Sequence, residues 1–133
     1  MMRKMILITL FSILCIVLPA PERAELYILK PIELTAYEAL IKAVVMVESN
    51  GNINAYNAKE NAVGAFQIRQ CRIDDYNTRT GSNYTLKDCY DYEVSRKVFL
   101  YFAEGKSFEI AVKNWNGSGP LTISYWQKVQ AYL

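Results

Sequence analysis

The stretch from Val44 to Gln70, VVMVESNGNINAYNAKENAVGAFQIRQ, sets the terms on which this chain can fold. Four apolar residues in a row, Val44 to Val47, run into a single acid, Glu48, and then into Ser49-Asn50-Gly51. Leu40, Ala43, Val44 and Val47 recur at helical spacing, so a helix over about 36–48 buries that stripe. Thr35-Ala36-Tyr37-Glu38 has the form of a capping box for its first turn. Asn50-Gly51 suits a left-handed C-cap at its end. An Asn-rich loop follows, with room for a short hairpin around Ile53–Tyr56 and Ala62–Val63. Gly64-Ala65-Phe66-Gln67 then opens a second helix, expected to reach about Tyr76.

Downstream the punctuation is regular. Asn77–Tyr84 is a turn-rich link, and Thr85–Tyr90 forms one helical turn that brings Cys89 back towards Cys71. Asp91 caps a helix to Ala103 with Val94, Val98, Tyr101 and Phe102 facing inwards, and Gly105 ends it. Ser107 caps a shorter helix from Phe108 to about Asn114, Asn116-Gly117-Ser118-Gly119-Pro120 breaks the chain, and a last helix covers Thr122–Tyr132. The expected fold is mainly α, a compact helical domain with at most a short hairpin.

At 133 residues and 52% apolar there is material for one domain with a real core, and disorder is excluded. Residues 1–20 stand apart. Arg3 and Lys4 precede an uncharged run, Met5–Leu18, which gives way to Pro19-Ala20-Pro21, the pattern of a secretory signal. Cleavage after Ala20 or Ala24 is possible, and a retained N-terminal anchor is the alternative, although the run is shorter than the roughly 20 residues a bilayer needs. The chain is therefore expected to be exported, to a periplasmic or extracellular destination. Residues 21–34, with Pro21 and Pro31, read as a connector, leaving 35–133 as the folded domain.

Without Arg3 and Lys4 the chain carries 13 basic and 13 acidic residues. Such a balance argues against nucleic acid, which calls for a strongly basic surface, and favours a neutral polysaccharide. Beyond the first 20 residues the cysteines are Cys71 and Cys89, an even count that favours a disulfide in an exported protein, with two reduced buried thiols as the alternative. The absence of histidine excludes Ser-His-Asp and Cys-His catalysis and the commonest zinc sites, and no metal or cofactor is expected.

Glu48 is the acid that the pattern singles out. It closes an apolar run at a helix C-terminus, where burial and the backbone dipole both oppose negative charge. Both effects keep a carboxyl protonated towards neutral pH, as a general acid requires. The plainer alternative is a helix-end Glu turned out to solvent.

Four short motifs then fall in one order: Glu48-Ser49; Gly64-Ala65-Phe66-Gln67; Ala111-Val112 through Trp115-Asn116-Gly117; and Tyr125 ahead of Lys128-Val129. In this order and spacing, over roughly residues 36–132, the chain resembles the lytic transglycosylases of the goose-type-lysozyme-like SLT group. It departs from that pattern in having Trp115 where Tyr is usual, no Ala before Gly117, and Ala65-Phe66 where Leu-Met is common.

The resemblance implies a lysozyme-like fold and cleavage of the β-1,4 bond between N-acetylmuramic acid and N-acetylglucosamine, with Glu48 as acid and then base. Ser49 would hold the local loop and contact sugar, Gln67 and Asn116 would offer amides to N-acetyl groups, and Tyr125 would orient Glu48. The substrate's acetamide would replace a second carboxylate, and closure by the muramyl 6-hydroxyl would leave a 1,6-anhydro end. Water in that role would make a muramidase instead, and a third possibility is a non-catalytic peptidoglycan-binding or assembly protein. Asp74 and Asp75 are the acids to inspect for a second role. The implied partners are peptidoglycan strands and, through the family's wider roles, secretion, conjugation or envelope machinery, with the protein acting as a monomer.

Overall fold

A computed structural model describes residues 22–133, with side chains from Ala36 onwards. The proposed signal at residues 1–20, with Cys15, lies outside the described residues. The order of elements is α1 (Glu22–Ser49), β1 (Tyr56–Asn57), β2 (Ala62–Val63), α2 (Gln70–Thr80), a 3₁₀-helix (Leu86–Tyr90), α3 (Tyr92–Ala103), α4 (Phe108–Asn116) and α5 (Leu121–Gln130). The fold is mainly helical with one short hairpin, as expected. Among the described residues no helix is long and apolar enough to cross a membrane.

Helix α1 is longer than its apolar stripe predicts. It begins at Glu22 and runs through the stretch expected to be a connector, so Thr35 lies inside the helix and not at its start. Residues 22–34 carry three Glu and three Leu beside Arg23, Ala24 and Lys30, good helix formers even without a clear apolar period. Glu38 instead forms an ion pair with Arg96 of α3. The C-terminus of α1 is as read: Asn50 and Gly51 take φ of 53° and 81°, and the Asn50 N–H donates to the Met46 carbonyl at 3.1 Å.

The expectation of a helix from Gly64 fails. Gly64 and Gln67 have φ of 74° and 50°, and the segment is a tight turn in which Val63 and Ile68 exchange backbone hydrogen bonds at 2.9 Å in both directions. Glycine is required at 64, because a Cβ there would sit 2.2 Å from the Cys89 carbonyl oxygen. Helix α2 starts only at Gln70 and stops on Gly81, whose N–H donates to the Asn77 carbonyl at 2.8 Å.

The later helices begin where their caps place them. Asp91 accepts from the N–H groups of Glu93 and Val94, and Ser107 accepts from Ile110. The inward face of α3 differs from expectation: Ser95, Val98, Phe99 and Ala103 are buried, whereas Tyr101 is exposed and Val94 and Phe102 are half-buried. Phe99 takes the central place because the Phe66 ring, carried in on the Gly64 turn, stacks on it at 5.4 Å between centroids. Leu40, Ile41 and Val44 of α1 close the same core with Val112 of α4 and Val129 of α5.

The expected disulfide is absent; both cysteines are free thiols. With α2 starting at Gln70, Cys71 sits exposed in its first turn, while Cys89 turns into the core, 3.7 Å from the Thr85 carbonyl oxygen to which its Sγ–H donates. Burial pushes the Cys89 thiol up to about 12, so it stays protonated.

Candidate active site

One cleft of about 610 Å³ collects most of the residues singled out by the sequence. Glu48 reaches it from the last turn of α1, Gln67 from the tight turn, Asn116 from the end of α4 and Tyr125 from α5. These four groups come from four separate parts of the chain, and packing of α5 against both α1 and α4 brings three of them together.

The central contact joins Tyr125 and Glu48. The phenol donates to Glu48 Oε1 at 2.5 Å across 77 positions of sequence. Burial pushes the Glu48 carboxyl up to about 7. The Tyr125 hydrogen bond and the Arg69 charge pull the other way, the Glu60 charge adds to the rise, and the Trp115 indole favours the ionised form slightly. Desolvation wins, and Glu48 holds its proton at near-neutral pH. The Tyr125 hydroxyl, buried beside a carboxyl, is pushed well above the ordinary phenol range and stays a donor.

Ser49 does something other than expected. It does not line the cleft. Its hydroxyl lies 2.9 Å from the Ala65 carbonyl oxygen and 3.2 Å from that of Val45, so its single proton is committed to backbone. Ser49 thereby ties the end of α1 to the turn that carries Gln67. The Gln67 backbone is left-handed, and its Nε2 donates to the Gly64 carbonyl at 3.0 Å, leaving the amide oxygen available to the cleft. Asn116 is exposed on the cleft wall.

Asp74 and Asp75 are not part of this cleft. Asp74 accepts from Gln70 at 2.8 Å, and Asp75 pairs with Arg79 at 2.6 Å. The second acid on the wall is Glu60, 3.9 Å from Arg69. The sequence reading also missed Arg69, Arg72, Trp115 as a wall residue, Ser118, Leu121 and Lys128. Lys128 was legible, since three positions past Tyr125 on a helix lies on the same side. Arg72 was not. Its guanidinium sits 4.7 Å and 5.0 Å from the ring centroids of Phe102 and Trp115 and donates to the Asn114 and Trp115 carbonyls at 3.1 Å and 3.2 Å. It thus closes the end of α4 that presents Asn116.

Among the described residues no three His, Cys, Asp or Glu side chains converge as a metal would need. Comparison with known protein families, with curated proteins and with solved structures finds no match to this chain.

Proposed function

We propose that the chain is a peptidoglycan lytic transglycosylase that uses Glu48 as its acid and base. The observation that carries this reading is the Tyr125–Glu48 hydrogen bond at 2.5 Å on the wall of a cleft that also holds Gln67 and Asn116. A carboxyl raised to about 7 is matched to proton donation near neutral pH.

In the proposed reaction Glu48 donates its proton to the bridging oxygen as the bond to the anomeric carbon breaks. The acetamide oxygen of the muramyl residue attacks that carbon and forms an oxazolinium ion, taking the role of the second carboxylate in ordinary glycosidases. Asn116 and Gln67 offer their amides to the acetamido groups. Glu48, now ionised and steadied by the Tyr125 hydroxyl, then takes the proton of the muramyl 6-hydroxyl, whose oxygen closes the 1,6-anhydro ring and opens the oxazolinium.

Glu60 gives the hydrolytic alternative its footing, because it is a second acid on the cleft wall. Its exposed side chain is 3.9 Å from Arg69, an arrangement closer to a surface ion pair than to a base poised over water. Digestion of purified peptidoglycan, with products read by mass spectrometry, separates the two. The transglycosylase reading expects muropeptides lighter by one water than the reducing-end products of hydrolysis. Reducing ends alone would make the protein a muramidase, and binding without cleavage would make it a wall-binding protein.

A further inference from the structure

Helix α4 ends at the cleft, and its end is built to fray. The carbonyls of a helix's last turn have no partner within the helix. In α4 the Gly117 N–H takes the Lys113 carbonyl at 3.1 Å, but the chain that follows offers nothing to those of Asn114 and Trp115. Gly117 and Gly119 take φ of 128° and 91°, so the helix does not continue. This unsupported turn carries two residues of the cleft wall, Trp115 and Asn116. The Trp115 indole, moreover, stands close enough to Glu48 to favour its ionised form.

The missing support comes from α2. Arg72 donates to the Asn114 and Trp115 carbonyls at 3.1 Å and 3.2 Å, and among the described residues these are the only hydrogen bonds between α2 and α4. A cation there also meets the negative end of the helix dipole. The same guanidinium covers the Trp115 ring at 5.0 Å and the Phe102 ring at 4.7 Å from their centroids. Phe99 and Phe66 meet the Trp115 ring nearly at right angles, at 5.1 Å and 6.4 Å, and Arg72 completes its enclosure. Burial works against the Arg72 charge, so these rings and carbonyls are what hold it in place.

We propose that Arg72 is a positioning residue, a C-terminal cap supplied to α4 by α2, which fixes the Trp115 indole and the Asn116 amide beside Glu48. It acts by shape. The charges that shift Glu48 are those of Arg69, ahead of α2, and Glu60, in the hairpin loop; Tyr125 of α5 and Trp115 act on it through their side-chain donors, and Lys128 of α5 shares the wall. Lysine cannot replace Arg72, because a point charge cannot lie flat between two rings while bonding two carbonyls. The catalytic consequence rests on the reading of Glu48 as proton donor, whereas the placement of Trp115 does not.

Trp115 reports its own placement. The full chain carrying Trp126→Phe has a single indole, whose fluorescence is expected to change around pH 7 as Glu48 titrates, and Glu48→Gln should abolish the change. The same difference between parent and Glu48→Gln is read with Trp126 in place. Arg72→Lys and Arg72→Gln are both expected to move this transition up by about half a pH unit, since the indole favours the ionised acid, and to make Trp115 about twofold easier to quench with acrylamide. Phe102→Leu keeps the charge and both carbonyl bonds but removes one ring. It is expected to shift the transition the same way by less, and it carries the test if an Arg72 variant melts too low to measure. Wall digestion by Arg72→Lys is expected to fall about tenfold, with its alkaline limb moved in step. Parent behaviour restored by lysine would make the role one of charge and overturn the proposal. A Glu48-dependent transition that is absent, or that stays in place in every variant, overturns it as well, as does a shifted transition with digestion unchanged. A parent that shows the transition but leaves the wall uncut overturns the transglycosylase reading alone and leaves the cap standing.

Discussion

At the scale of single residues, Glu48 and Tyr125 make opposite and separable contributions. Glu48→Gln keeps an acceptor for the Tyr125 hydroxyl but removes the proton donor, so wall digestion is expected to fall at least about a hundredfold. The same substitution changes how stability depends on pH. Glu48 binds its proton more tightly folded than unfolded, with a carboxyl at about 7 against an ordinary 4.5. Between those values the folded state holds more protons, so the native protein loses stability as pH rises through that window, by an amount on the order of 3 kcal/mol. Above pH 7 the Gln variant is expected to melt higher than the parent, and below pH 4 the two should converge. Melting curves at several pH values check this, and parallel curves for the two proteins would show that Glu48 is not buried as described. Tyr125→Phe works on the same carboxyl from the other side. The lost hydrogen bond favoured the ionised form, so the alkaline limb of activity is expected to move to higher pH while the rate falls. A pH–rate profile with an unmoved alkaline limb would remove Tyr125 from the control of Glu48.

At the scale of elements, the tight turn Gly64–Gln67 shows most plainly what the sequence could and could not disclose. Its composition points to Gln67, and the cleft does contain Gln67, but the same residues have the pattern of a helix start rather than of a turn. Short apolar runs do not by themselves distinguish a helix from a buried turn. What decides is long-range: the 3₁₀-helix lies so close to Gly64 that only a residue without Cβ fits, and Phe66 has an aromatic pocket waiting between α3 and α4. The caps at Asp91 and Ser107 were legible because they are local, satisfied within three residues by their own helices. Arg72 was not legible, since its partners lie 42 and 43 positions away. The left-handed backbone of Gln67 makes a testable trade. Gln67→Gly relieves a conformation that costs an L-residue about 1 kcal/mol or more, but removes the amide from the cleft. Its melting temperature is expected to be no lower than the parent's while cleavage drops. Gly64→Ala is the counterpart, expected to lose at least about 2 kcal/mol to the clash with the Cys89 carbonyl. If the two variants melted alike, the turn would not be built this way.

At the scale of the whole molecule, the cysteines test how the domain holds itself together. A pair of cysteines beyond the first 20 residues of a chain this size invites a covalent staple, yet the core is continuous without one. Leu40, Ile41 and Val44 from α1 meet Phe66, Phe99, Val112 and Val129 from four other segments, and each is fully or almost fully buried. Burying such side chains contributes about 1.5–3 kcal/mol apiece relative to exposure, enough to make a single cross-link dispensable. The two thiols, moreover, are differently placed. Cys71 faces solvent at the start of α2, whereas Cys89 is enclosed, donates to the Thr85 carbonyl and is held protonated by burial. A thiol-specific reagent applied to the native protein is therefore expected to modify Cys71 quickly and Cys89 only after denaturant is added. Reductant is expected to leave the melting temperature where it was, and Cys71→Ser to change stability by less than about 0.5 kcal/mol. Cys89→Ser places a stronger hydroxyl dipole in an apolar site and is expected to cost on the order of 1 kcal/mol. A fall in melting temperature on reduction, with both thiols protected from the reagent beforehand, would mean that the two cysteines are joined and that Cys71 is not the exposed thiol at the start of α2.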